Sequence, residues 1–220
     1  MQSWAVLQFP GSNSDWDAYR VFERLPNLQV TMHWHEIPIE PGQYEVLLVP
    51  GGFSFGDYLR AGAIAKLSPA MQNLEEVIAS GCHVIGICNG FQILLEARLL
   101  PGTLIKNKTR SFISKKVDCV VQKDIFPWFT TEDLQKAISL PVAHGYGNYQ
   151  ISSLDRSEVE VALRYAEDIN GSVDQIAGVY RKLGKGSVFG LMPHPERASL
   201  DFLPKKDGHL FWENARKALG

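Results

Sequence analysis

Long hydrophobic runs are missing from this 220-residue chain, and with them the simplest route into a membrane. No apolar stretch approaches the ~18 to 20 residues that a spanning helix needs. The N-terminus, Met1-Gln2-Ser3-Trp4, lacks a basic leader region, and the apolar residues 4–9 stop at Pro10-Gly11, too early for the core of a secretion signal. A protein without a membrane partner is expected. An excess of charge of one sign is lacking too. Twenty-two Lys plus Arg face 24 Asp plus Glu, and a net charge of -2 provides no broad cationic field for nucleic acid. Cysteine is scarce: three thiols, an odd number, cannot make a disulfide framework and point to a reducing, cytoplasmic setting. The 12 prolines and 19 glycines fall short of a low-complexity composition, and 45% hydrophobic with 21% charged residues is ordinary for a globular chain, which excludes disorder, collagen and coiled coil.

What is present is an alternation of strands and helices. Residues 4–9 read as a strand, Pro10-Gly11-Ser12-Asn13-Ser14 as a turn with N-cap candidates, and Trp16, Tyr19, Phe22 and Leu25 recur at helical spacing. Residues 28–33 form a second strand candidate, and 45–49 is a short apolar run of the kind buried in parallel sheets, ended by Pro50-Gly51-Gly52. Met71, Leu74, Val77 and Ile78 mark another amphipathic helix, Gly81 stands at its C-terminus, residues 82–87 repeat the buried-strand pattern, and a helix follows from Asn89. Strands alternating with helices imply right-handed crossovers and an α/β, doubly wound, mostly parallel sheet. From 102 to about 153 the pattern turns to short alternating strands, with more at 174–181 and 187–192 before a last helix over 207–219. These read as antiparallel strands appended to the same sheet. No repeat or linker divides the chain, so one domain over 1–220 is expected.

Gly86-Ile87-Cys88-Asn89-Gly90 places a cysteine between a buried strand and a helix, with glycine two positions away on each side. A sharp strand-to-helix turn forces strained backbone at the central residue, and the glycines remove the Cβ atoms that would collide there. The N–H groups and positive dipole end of the helix favour thiolate at Cys88. Free cysteine is otherwise a small buried hydrophobe, and that is the expectation for Cys82 and Cys119. A cysteine nucleophile needs a base and the base an orienter. Met192-Pro193-His194-Pro195-Glu196 offers both: on extended backbone His194 and Glu196 point to one side, so Glu196 could hold one imidazole nitrogen while the other faces Cys88. Alone, the segment would equally suit a surface turn. An oxyanion formed at Cys88 requires two donors. The backbone N–H of Asn89 is one by position. Gly51 and Gly52 allow close backbone approach for the second, or merely end a strand, and Gln92 lies one helical turn beyond Cys88, where its amide could reach a substrate. His33, His35, His83 and His209 read as ordinary surface residues and no metal is assigned. Lys106, Lys108, Arg110, Lys115 and Lys116 form a basic stretch, more suited to a solvated edge, with partner docking left open.

Together these segments resemble the class I, triad-type glutamine amidotransferases. Gly86 to Gln92 is similar to their nucleophile motif and Pro193-His194-Pro195-Glu196 to their His/Glu motif. Within that group, Pro50-Gly51-Gly52-Phe53-Ser54-Phe55-Gly56-Asp57-Tyr58-Leu59-Arg60 and the residues up to Ala65 resemble the signature of the glutaminase subunits of phosphoribosylformylglycinamidine synthases. The likeness spans the whole chain, from Phe9-Pro10-Gly11 through Leu100-Pro101-Gly102 to Arg197. It implies a flavodoxin-like fold in which Cys88 attacks the side-chain amide of glutamine, His194 protonates the departing ammonia, and water hydrolyses the thioester to glutamate. It also implies that ammonia passes to a large synthetase subunit in purine biosynthesis, and that a small accessory subunit can be a further partner. No cofactor is implied for this chain, while ATP and Mg²⁺ belong to the synthetase. The chain has no G-x-x-x-x-G-K-[ST] match, in keeping with ATP chemistry on the partner. One departure stands out: where the family usually carries glutamate and arginine, this chain has Tyr146 and Asn148, so His144 and Tyr146 stay outside the expected catalytic set. Two other readings fit the residues. One is a stand-alone cysteine hydrolase acting on another amide or ester, the other a non-catalytic regulatory subunit, and intact Cys88, His194 and Glu196 speak against the latter.

Overall fold

Short apolar runs with no polar face can only be strands covered on both sides, and that is where they lie in the computed structural model, which describes residues 1–200 and 206–220. The strands are β1 (Gln2–Gln8), β2 (Leu28–Trp34), β3 (Val46–Val49), β4 (His83–Ile87), β5 (Thr103–Ile105), β6 (Ile113–Val121), β7 (Ala137–His144), β8 (Asn148–Gln150), β9 (Glu160–Tyr165), β10 (Ile176–Leu183) and β11 (Gly186–Leu191). The helices are α1 (Asp15–Glu23), α2 (Pro69–Gln72), α3 (Leu74–Ser80), α4 (Asn89–Glu96) and α5 (His209–Leu219). A nine-stranded sheet runs in the order β2-β1-β3-β4-β11-β10-β9-β6-β7, and β5 pairs with β8 in a separate two-stranded sheet. Strands β2, β1, β3, β4 and β11 are mutually parallel, whereas β10, β9, β6 and β7 continue antiparallel. The α/β sheet expected from the sequence, a parallel core with antiparallel strands appended, is the sheet observed.

Three differences are instructive. The segment around 187–191 is not an antiparallel addition: β11 lies parallel beside β4, with Leu191 opposite Ile87, and so belongs to the central sheet. The helix expected across Met71 to Ile78 is broken at Asn73 into α2 and α3. His33, His35 and His83, expected at the surface, are buried. Each is satisfied there: His33 bonds the Tyr44 hydroxyl and the Ile37 carbonyl, His35 the Ser68 hydroxyl, and His83 the Ser187 hydroxyl. Cys82 and Cys119 are core residues as expected, their thiols pushed up to about 12 by burial.

Aromatic packing joins the helices to the sheet. Phe22 of α1 meets Trp4 of β1 edge-on at 4.9 Å and Trp212 of α5 at 5.1 Å, so α1 and α5 cover one face. Each such fully buried side chain contributes roughly 1.5 to 3 kcal/mol by leaving water. Helices α3 and α4 pack against the central strands. The carboxyl ends of β3, β4 and β11 therefore open onto one edge of a rigid sheet, where open α/β sheets place their ligands. Among the described residues no helix is long and apolar enough to cross a membrane.

Candidate active site

Strand β4 ends where α4 begins, and Cys88 is the joint. Its backbone sits at φ 52°, ψ -105°, outside the ordinary basins and at a cost of roughly 1 to 3 kcal/mol. Flanking glycines make that turn possible. A Cβ on Gly90 would stand 1.9 Å from the Val49 carbonyl oxygen, and one on Gly86 would stand 2.8 Å from the Gly90 carbonyl oxygen. The Cys88 N–H donates to the Leu191 carbonyl at 2.8 Å, tying the elbow to the end of β11. The side chain is 6% exposed, and its sulfur lies 3.6 Å from the Ala143 carbonyl oxygen at the end of β7.

The parallel pairing of β11 with β4 delivers the second half of the site. Chain leaving β11 emerges next to the elbow, and the His194 N–H donates to the Pro141 carbonyl at 2.8 Å, which fixes the segment against β7. His194 Nδ1 bonds Glu196 Oε1 at 2.6 Å, with the residues 2% and 0% exposed. The pairing is the expected one, reached differently: Pro195 is helical and Glu196 opens a 3-10 turn over Glu196–Ala198, so a turn, not extended chain, folds the carboxylate back onto the ring. Burial works against a charged imidazole. The Glu196 carboxylate, followed by the Cys88 sulfur, outweighs it and raises His194 to about 10. With Nδ1 given to Glu196, Nε2 is the ring nitrogen left for Cys88, and it makes no hydrogen bond to a side chain or backbone group among the described residues.

Gly51 and Gly52 take different parts. The Gly51 N–H donates to Ser14 Oγ at 2.9 Å, so it is spent and is not the oxyanion donor expected of it. Its missing side chain matters instead, because a Cβ there would lie 2.7 Å from His194 Cε1 and 3.5 Å from Cys88 Cβ. Gly52 lines the pocket over Cys88 and its N–H donates to nothing among the described residues; the Asn89 N–H, at the first turn of α4, follows directly on Cys88. Gln92 is tied at both ends, accepting from Asn89 Nδ2 at 2.9 Å and donating to the Tyr146 carbonyl at 2.9 Å. Asn89 Nδ2 also donates to Asp57 Oδ1 at 3.1 Å.

Sequence reasoning set aside His144 and Tyr146, yet both line the pocket, of about 120 Å³, with Cys88 and His194. Neutral amides hold the loop that carries Tyr146 and Asn148. Asn107 Oδ1 accepts from Gly147 N–H and from His144 Nδ1, each at 3.0 Å, and Asn170 Nδ2 donates to the Gly147 carbonyl at 2.7 Å. Asn107 Nδ2 donates to two carbonyls, so its oxygen faces His144 and Nδ1 carries the proton. His144 Nε2 is left a buried acceptor without a partner, and burial, assisted by the charge of His194, lowers this histidine to about 4. Asp57 and Arg197 also border the pocket. A groove of about 1240 Å³ runs alongside, shares Gln92 and Tyr146 with it, and takes in Lys106 and Arg110 of the basic stretch, with the Lys106 ammonium 5.7 Å from the centre of the Tyr146 ring. Among the described residues no group of three or more His, Cys, Asp or Glu is placed to hold a metal ion.

Known proteins match the chain over nearly its whole length. Residues 2–209 match the CobB/CobQ-like glutamine amidotransferase domain. The chain is 47% identical over 209 residues to the phosphoribosylformylglycinamidine synthase subunit PurQ of Zymomonas mobilis, covering 93% of this chain and 94% of that one. It is 42% identical over 214 residues to the protein of the same name from a Synechococcus strain, covering 95% and 94%. Among solved structures, a chain of PurLQS from Thermotoga maritima superposes with a TM-score of 0.90 at 38% identity over 100% of both chains. A GMP synthase component from Thermoplasma acidophilum shares the fold, with a TM-score of 0.67 at 17% identity over 99% of this chain and 94% of the other.

Proposed function

The chain belongs to the CobB/CobQ-like glutamine amidotransferase family, and from that premise we propose how it works as the glutaminase subunit of a phosphoribosylformylglycinamidine synthase. Its substrate is glutamine. The observation that carries the reading is the buried 2.6 Å contact between His194 and Glu196 beside a cysteine held in left-handed backbone at a helix start.

The Cys88 sulfur, its proton held by His194, attacks the carboxamide carbon of glutamine. Negative charge gathers on the amide oxygen, which the backbone N–H groups of Asn89 and Gly52 stabilise. His194, kept protonated by Glu196, gives its proton from Nε2 to the amide nitrogen, the C–N bond breaks, and ammonia leaves a γ-glutamyl thioester on Cys88. Water then enters, His194 takes a proton from it, and thioester cleavage frees glutamate and regenerates the thiol. Glu196 does not itself exchange the proton; it fixes the tautomer and the ring, as the carboxylate does in other triads.

Ammonia freed into open water is protonated and loses its nucleophilicity. The chain therefore works assembled with a synthetase subunit, in the cytoplasm, and that subunit binds ATP and Mg²⁺ and uses the ammonia. Its glutaminase activity is low until it is assembled. A small accessory subunit completes the assembly. The test is reconstitution with that synthetase subunit, formylglycinamide ribonucleotide, ATP and either glutamine or ammonium salt. Cys88→Ala is expected to abolish product from glutamine and leave product from ammonia intact. Unchanged glutamine-driven product in Cys88→Ala would refute the reading.

A further inference from the structure

Among the described residues, two that line the pocket over Cys88 carry a buried side-chain nitrogen with no hydrogen-bond partner, and both nitrogens belong to imidazoles. One is His194 Nε2, which faces the proton transfers at Cys88. The other is His144 Nε2, to which the chemistry above gives no part. His144 closes β7, directly after Ala143, whose carbonyl oxygen lies 3.6 Å from the Cys88 sulfur. The backbone of His194 is pinned to the same strand through the Pro141 carbonyl, and the two rings stand near enough for the charge of His194 to depress His144. The state of His144 is fixed from behind. Asn107 Oδ1 accepts from Nδ1 at 3.0 Å, so the proton sits there, and burial keeps the ring neutral by lowering it to about 4. Nε2 is therefore a lone pair that can accept a hydrogen bond but cannot stand in for His194 as the acid.

Thioester cleavage has a need that such an acceptor meets. Water brings two O–H groups. His194 Nε2 takes the proton of one, and the other, inside a pocket of about 120 Å³, needs an acceptor of its own if the oxygen is to be held in line for attack. We propose that His144 Nε2 accepts the second O–H of the hydrolytic water and so aims its oxygen at the thioester carbon. This rests on the proposed function and adds a water-orienting residue to its second half. After ammonia has left, the water oxygen bonds to the γ-carbonyl carbon as the C–S bond breaks and its electron pair returns to sulfur. One proton of the water passes to His194; the other stays on the new carboxyl group, which ionises in solvent, and His144 gains none.

Three substitutions separate this role from packing. His144→Phe keeps an aromatic ring and removes the acceptor, His144→Gln keeps an acceptor whose Oε1 reaches the place of Nε2, and His144→Asn has one only at the place of Nδ1. In the full chain assembled with its synthetase subunit, acid quenching and peptide mass spectrometry follow the glutamyl thioester on Cys88 through one turnover. His144→Phe is expected to form the thioester at the native rate and to lose it about 10- to 100-fold more slowly, so that kcat and KM for glutamine fall together while kcat/KM holds. Hydroxylamine, which attacks thioesters without a base, should restore turnover by releasing γ-glutamyl hydroxamate. His144→Gln should recover most of the hydrolysis rate and His144→Asn little of it. Equal losses in kcat and kcat/KM overturn the proposal, because a histidine that merely packs the pocket would hinder thioester formation as much as its cleavage. Equal hydrolysis rates in the Gln and Asn variants overturn it too, and that pair decides the matter where the Phe variant fails to fold. A wild-type chain that turns glutamine over with no thioester on Cys88 refutes the proposed function instead, before any variant is made.

Discussion

Replacing Glu196 by glutamine removes one charge from the site and little else. The amide oxygen of glutamine can still accept from His194 Nδ1, so the 2.6 Å contact and the packing of a residue with no exposed surface are kept. What changes is the balance at the imidazole. In the native chain the Glu196 carboxylate raises His194 from an ordinary 6.5 to about 10, which favours the charged ring. Burial opposes that charge, Glu196 is its largest support, and the Cys88 sulfur comes next. Without the carboxylate the ring falls to its ordinary value or lower. The proton that must reach departing ammonia is then absent over most of the working range. A loss on the order of 10²- to 10⁴-fold in kcat is expected, with the alkaline limb of the rate profile moving from near 10 down to about 7 or below. Stability should follow the same proton. A histidine whose value is raised by folding adds stability that is complete below its unfolded value and fades as pH rises through its folded value, so native and Glu196→Gln chains should differ most below pH 6.5 and converge above pH 10. The assay is the pH profile of glutamine turnover by the assembled enzyme, with denaturant unfolding at several pH values. Near-native turnover with an unmoved alkaline limb would refute the assignment of Glu196 as the support of His194.

Other substitutions probe how the site is held. Gly51→Ala would put a methyl group 2.7 Å from His194 Cε1, and the expected displacement of the ring should cost on the order of 10²-fold in kcat with about 1 to 3 kcal/mol of stability, read by turnover and thermal unfolding. Gly90→Ala meets the Val49 carbonyl at 1.9 Å, a backbone atom that cannot move aside, so the chain should unfold well below the native Tm or fail to accumulate in soluble form. Asn107→Ala releases both the Gly147 N–H and His144 Nδ1, and should cost about 1 to 3 kcal/mol while raising KM for glutamine more than it lowers kcat.

Much of this arrangement was written in contiguous residues. The nucleophile turn was legible because Gly86, Cys88 and Gly90 carry a steric demand that hardly any other backbone makes, and His194 with Glu196 was legible because two residues of separation limit where their side chains can go. The parallel core up to β4 followed from apolar runs. The direction of β11 did not, since an apolar run reads the same whichever way it lies and only tertiary pairing with β4 decides. The burial of His33, His35 and His83 was hidden too, because their partners Tyr44, Ser68 and Ser187 come from other segments. For the same reason Ser14, Asp57, Asn107 and His144 escaped: each acquires its role from a residue dozens of positions away. Gly51 was singled out as a donor, yet what the fold uses is its lack of a side chain.

Everything turns on a covalent bond between Cys88 and the γ-carbonyl of glutamine. Acid quenching of the assembled enzyme during turnover of isotopically labelled glutamine, followed by peptide mass spectrometry, reads that bond directly. The account predicts a glutamyl adduct on the peptide containing Cys88, none on those containing Cys82 or Cys119, and none in Cys88→Ala. Sustained glutamine hydrolysis with the adduct on another residue, or undiminished in Cys88→Ala, would contradict it.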